Sequence, residues 1–238
     1  MPLKHLEKEY RNIGYLFVIL ILLLCLGFYR PYWSLFPHFA GINAIKHFHG
    51  IVLFMWFILL TVQPFLIQSG KQKAHKLLGR FSASLVPLIF ISIFLVSKDK
   101  FNRMAPRISR EENIGELALN VSGMFYFIAL FALAIYYRKN AAYHIRFIIA
   151  AALLLFGPGI GRILENYGGL SFSQSVIASV FISEIITVLL LLYDLKNGTS
   201  PKPYLISLFF LFFFQILWMF RFSLVWQTLG GQFADLFF

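Results

Sequence analysis

Charge is scarce in this chain. Of its 238 residues, 13% are Asp, Glu, Lys or Arg, about half the roughly 25% share found in soluble domains. Acids are the scarcer sign, 10 against 21 Lys and Arg, for a net charge of +11. Cysteine is nearly absent. Cys25 stands alone, which excludes an intrachain disulfide and any cysteine-based metal centre. There is no soluble domain, no low-complexity tract and no internal repeat.

What fills the chain instead is apolar. Hydrophobic residues make up 59% of it and 29 are Phe, with a mean hydropathy of +0.76. The composition is that of a polytopic membrane protein whose core is its own helix bundle. In that setting the positive charge implies the bilayer and its anionic lipid headgroups as partners, and no nucleic acid. Phe-rich runs such as Phe209–Phe214 suggest lipid-facing surface.

Hydrophobic periodicity and connector composition predict an all-α, seven-span transmembrane helix bundle in a single domain, residues 1–238. The spans are about 13–29, 46–68, 77–97, 114–137, 145–165, 173–193 and 204–226. Lys4, Lys8 and Arg11 before the first apolar run resemble a signal peptide. The run ends in Gly27-Phe28-Tyr29-Arg30-Pro31 without a small-x-small cleavage site, so it reads as a retained anchor. Twelve of the 21 basic residues fall on the N-terminal side of this topology. That bias predicts a bacterial inner-membrane protein with a cytoplasmic N-terminus and a periplasmic C-terminus.

The organising stretch is Lys46–Arg80. His49, Trp56 and Gln63 are spaced by seven, which puts them on one helical face. His47 is two residues from His49, about 200° away, so the heptad selects His49 as the inward one. His38 sits in an aromatic segment, Arg30–Ile45, that reads as interfacial. Glu116, Asn120 and Gly123 share a face of the fourth span. In the fifth, Pro158 flanked by Gly157 and Gly159 predicts a kink or break. The sixth carries Ser175, Ser179, Ser183 and Thr187 at intervals of four, a packing seam. Glu184 lies beside that seam at mid-span. An acid there is expensive and needs a partner. Arg162 is the expected one, ahead of Arg221.

These residues define three candidate sites. His75 and His144, with Gln63 nearby, form a cofactor site, since two helix-borne imidazoles can hold a b-type haem. His49, Glu116 and Glu165 form a weaker metal set, short of a zinc-type spacing. Glu184, Arg162, Asn120 and Arg221 form a central polar site. Each has a plain structural alternative, headgroup anchoring for the histidines and a buried ion pair for Glu184. The function classes left open are a small haem-associated redox protein, a transporter or small-molecule binding protein, and a structural or assembly protein. The reaction, if any, is not written in the sequence.

Half the chain, residues 46–166, resembles an uncharacterised bacterial membrane family, domain of unknown function 2306. The resemblance is carried by His49 and Gln63, by H-K-L-L-G-R from His75 to Arg80, and by H-I-R-F-I-I from His144 leading to Arg162. It implies a membrane protein without an established reaction. A lesser likeness to b-type di-haem transmembrane cytochromes rests on His75 and His144.

Overall fold

The computed structural model describes residues 3–238, with side chains from Arg11 onward. The side chains of residues 1–10, and with them Lys4 and Lys8 of the charge count, lie outside the described residues. The described chain is all-helical, without a strand: α1 Leu3–Gly27, α2 Ala44–Gln68, α3 Gln72–Met104, α4 Arg110–Tyr136, α5 Ala141–Gly168, α6 Phe172–Lys196, α7 Lys202–Met219 and α8 Leu224–Phe237. Six helices, α2 to α7, are long and apolar enough to cross a membrane. The described apolar part of α1, Arg11–Gly27, is shorter.

Local sequence explains the helix starts. Asn43, Ser109, Asn140 and Ser223 each accept a backbone N–H with the side chain, at 3.0, 3.1, 3.2 and 3.4 Å. Ser171 and Gln174 close a reciprocal capping box at the head of α6. Gly169 ends α5 at φ +69°, a left-handed conformation that glycine adopts without strain.

One expectation about continuity is corrected and a second, the kink or break at Pro158, is narrowed. The seventh segment does not run to residue 226. It stops at Met219, and Ser223 caps a separate α8. The break falls where Arg221 would otherwise extend the helix into the apolar layer, a costly place for a guanidinium. The fifth segment does not break at Pro158. Helix α5 is continuous through it. A proline removes one backbone donor, and membrane helices tolerate that where neighbouring protein covers the freed carbonyl.

The chain divides into two compact units, Met1–Ser92 and Ile93–Phe238, the boundary falling inside α3. In the first unit α1 packs along α2. A Cβ on Gly14 would lie 2.6 Å from the Phe65 ring, so glycine sets that close approach. The predicted stripe on α2 faces inward, with Trp56 only 1% exposed.

In the second unit α4 packs on α5, α7 and α8, α5 on α6 and α7, and α6 on α7. Helix α6 is inverted relative to a soluble helix. Its buried face is Ser175, Ser179, Ser183, Glu184, Thr187 and Asp194, while Phe181, Ile185, Leu189 and Leu192 are exposed. That is the pattern expected when the surrounding solvent is hydrocarbon. Ser179, Ser183 and Thr187 donate to carbonyls three or four residues back on α6 itself, at 2.9, 3.0 and 2.7 Å. Their hydroxyls are thus consumed locally, and the stripe acts as a packing seam.

Helix α8 folds back over α4. Trp226 donates to the Ile114 carbonyl at 3.0 Å, and Gln227 to the Glu111 carbonyl at 3.0 Å. At its far end Phe238 packs edge-on against Phe94 and Phe101. A Cβ on Gly230 would meet Ile114 Cγ2 at 3.0 Å and Trp226 Nε1 at 3.2 Å. Gly230→Val should therefore destabilise the α4–α8 contact by about 1–3 kcal/mol, the usual cost of overpacking. Trp226 fluorescence and thermal unfolding in detergent check this, and an unchanged melting temperature would contradict it.

Candidate functional site

Polar groups in the second unit sit at three depths. The middle one centres on Glu184, the central residue of the 25-residue α6. It is 5% exposed, as expected for an acid that faces the bundle. Its partner is not Arg162. With its amide nitrogen turned toward the carboxyl, the orientation that hydrogen bonding demands, Gln215 of α7 donates to both carboxyl oxygens, at 2.8 and 3.1 Å. No cation lies within ion-pair distance of Glu184 among the described residues. Close by, Tyr126 of α4 packs with Val180 and Phe214, one turn and one residue from Glu184 and Gln215. Its hydroxyl is buried and meets no hydrogen-bond partner.

A second group lies where α4 and α6 begin and α7 ends. Lys100 pairs with Glu116 at 2.7 Å and sits over the Phe172 ring at 4.6 Å. Arg221 stacks on Trp218 at 4.1 Å and Phe222 at 4.4 Å. It donates to the Trp218 carbonyl at 2.9 Å and to Ser173 Oγ at 3.4 Å. It has no carboxylate partner among the described residues. Burial lowers the Arg221 pKa from its ordinary value, while Glu112 and Glu116 oppose that through space. Trp218, 2% exposed, has an indole N–H without an acceptor.

The third group lies at the opposite end, where α5 begins and α6 ends. Arg146 grips Asp194 with two nitrogens, at 2.5 and 2.6 Å, and Asp194 is 2% exposed. A planar fork on a carboxylate is the strongest geometry open to an ion pair. Tyr204, 3% exposed, is close enough to feel both charges. Next to this pair Tyr143 and Ser200 share a hydrogen bond of 2.7 Å. His144 Nδ1 lies 2.8 Å from the Ala134 carbonyl. A carbonyl only accepts, so Nδ1 carries a proton and donates it there.

The first unit places its histidines differently. His47 Nδ1 meets the Tyr32 hydroxyl at 2.7 Å, between the rings of Tyr32 and Phe39. His49 faces inward, as the heptad required, with Nδ1 at 3.1 Å from Ser92 Oγ. That hydroxyl donates its proton to the Ile89 carbonyl at 2.8 Å. Ser92 therefore accepts from His49. Gln63 donates to the His75 carbonyl at 3.3 Å, and its own carbonyl oxygen is buried without a partner.

Among the described residues no three of His, Cys, Asp and Glu converge to hold a metal ion. His49 is held by Ser92, Glu116 by Lys100, and Glu165 by Arg162 at 2.8 Å. The central polar set separates as well. Arg162 is exposed and pairs along its own helix. Asn120 lines a shallow crevice with Phe94, Ser97 and Phe233, and Arg221 belongs to the second group. His75 and His144 fall in different units. What the sequence reading missed is Gln215, Asp194 and Tyr204. A lone amide following six aromatic and aliphatic residues, Phe209–Phe214, and an acid near the end of a span were the signals available.

Compared with family models, with curated proteins and with solved structures, the chain matches none of them.

The Arg146–Asp194 pair yields a direct test. Removing either charge alone, as Arg146→Met or Asp194→Asn, should cost about 3–5 kcal/mol, because it strands its partner in a dry site. The double variant should lose less than the sum. Denaturant unfolding in detergent measures this, and strictly additive losses would show that the pair is not coupled.

Proposed function

We propose that this is a multi-pass protein of a bacterial inner membrane that passes a small cation, above all the proton, through its second unit, with Glu184 as the central binding group. In this reading α1 is a seventh span. The N-terminus is then cytoplasmic, and α8 lies at the periplasmic face. The observation that carries the proposal is the partner of Glu184. A carboxyl kept for stability alone would face an arginine or lysine. This one faces a neutral amide, and it sits at the depth where intramembrane acids mark ion pathways. The amide fixes the carboxyl without neutralising it, which leaves its charge to a bound proton or cation.

Reconstitution into liposomes tests this. With an internal pH dye and a potassium diffusion potential, the wild type should acidify the lumen faster than empty liposomes do. Glu184→Gln should reduce that rate at least about tenfold, the effect of losing an essential proton-transfer group, and Glu184→Asp should retain part of it. A folded wild type no faster than empty liposomes would refute the reading.

A second reading rests on His144. Its Nδ1–H is fixed on a backbone carbonyl, which orients the ring and leaves Nε2 as the nitrogen that could ligate. His144 would then supply one axial position of a b-type haem, a group that brings one-electron chemistry. Protein purified from its own membrane should then show a Soret band that His144→Ala removes. A colourless, folded protein from haem-replete cells would reject it.

A further inference from the structure

The second group, at the end of the unit where α4 and α6 begin, contains an arginine, Arg221, and a carboxylate, Glu112, that make no ion pair among the described residues. Arg221 is held in place on three sides, by the Trp218 and Phe222 rings and by hydrogen bonds to the Trp218 carbonyl and Ser173. Its remaining N–H groups have no acceptor among the described residues. Glu112, in the first turn of α4, is exposed and forms no ion pair among the described residues, and it lies one turn from Gly115, where a Cβ would sit 3.4 Å from Arg221 Cγ. The neighbouring Lys100 and Glu116 satisfy each other and add no net charge. Arg221 and Glu112 lie at helix ends, where a membrane-spanning bundle meets lipid headgroups, and Phe220 and Leu224 around the α7–α8 turn are 62% and 83% exposed.

A simple anion at Arg221 would meet the field of Glu112. A simple cation at Glu112 would meet that of Arg221. A ligand carrying both charges, a few ångströms apart, meets neither objection. We propose that this end of the second unit holds the headgroup of an ethanolamine phospholipid, its phosphate on Arg221 and its ammonium on Glu112. Phosphate suits the guanidinium because the planar fork can donate twice. A primary ammonium suits Glu112 because it has three N–H donors, which a choline headgroup lacks. The assignment is independent of whether Glu184 carries a cation.

The test uses the full chain purified in detergent, with short-chain phosphatidylethanolamine, phosphatidylcholine and phosphatidylglycerol added in parallel. Retained lipid is read by native mass spectrometry and the melting temperature by differential scanning fluorimetry. Phosphatidylethanolamine should be retained best and should raise the melting temperature most. Arg221→Gln should lower its retention about tenfold or more, the worth of a charge-assisted contact. Glu112→Gln, an exposed change that leaves the fold intact, should lower phosphatidylethanolamine to the level of phosphatidylcholine without weakening phosphatidylglycerol. Equal retention of the three lipids, or an unchanged preference in Glu112→Gln, would overturn the proposal. Displacement of the lipid by free phosphoethanolamine at equal concentration would overturn the lipid as source and assign the site to a soluble zwitterion.

Discussion

A polar atom inside hydrocarbon has no water to turn to, so each one must find its partner within the protein. That constraint shapes helix α6 more than any other element. The hydroxyls of Ser179, Ser183 and Thr187 return to their own backbone, Asp194 takes a forked arginine from α5, and Glu184 takes an amide from α7. Each of these choices turns the polar face inward and leaves Phe181, Ile185 and Leu189 to the lipid. The rest of the second unit arranges itself around that face.

The two acids of α6 are satisfied in different ways, and the difference separates structure from function. Asp194 is locked by full charge and two hydrogen bonds, a clamp that ties the start of α5 to the end of α6. Glu184 is positioned by a group without charge. A bundle that needed only to cohere had an arginine available for the first acid and could have used one for the second. The neutral partner at the central position is the feature on which the proposed cation passage rests. The histidines follow the same economy, since His49 and His144 each spend Nδ1–H on an oxygen.

Much of the fold was legible because membrane helices announce themselves by length and apolarity. The inward stripe of His49, Trp56 and Gln63 and the α6 seam followed from spacing alone. Two breaks were misread for opposite reasons. Pro158 looks like a breaker, but a proline inside a packed bundle loses a single hydrogen bond, and α5 continues. Arg221 looked like part of a span because the residues flanking it are apolar, although a guanidinium ends the helix in favour of the interface. The candidate site was only half legible. Charge and depth marked Glu184 as important, but spacing along the sequence cannot select a partner across helices. Arg162 was the natural expectation because α5 and α6 are consecutive. The structure gives Arg162 a nearer acid one turn away, Glu165, and gives Glu184 the amide of α7 instead.

The central claim is that Glu184 is held by Gln215 and by no cation. A double-mutant cycle tests it most directly. Glu184→Gln and Gln215→Leu, measured singly and together by unfolding in detergent, should show a coupling of about 0.5–3 kcal/mol, as contacting polar pairs do. Glu184→Gln combined with Arg162→Gln should be additive. Additivity with Gln215 together with coupling to Arg162 would contradict the account and return Glu184 to the role of a structural ion pair.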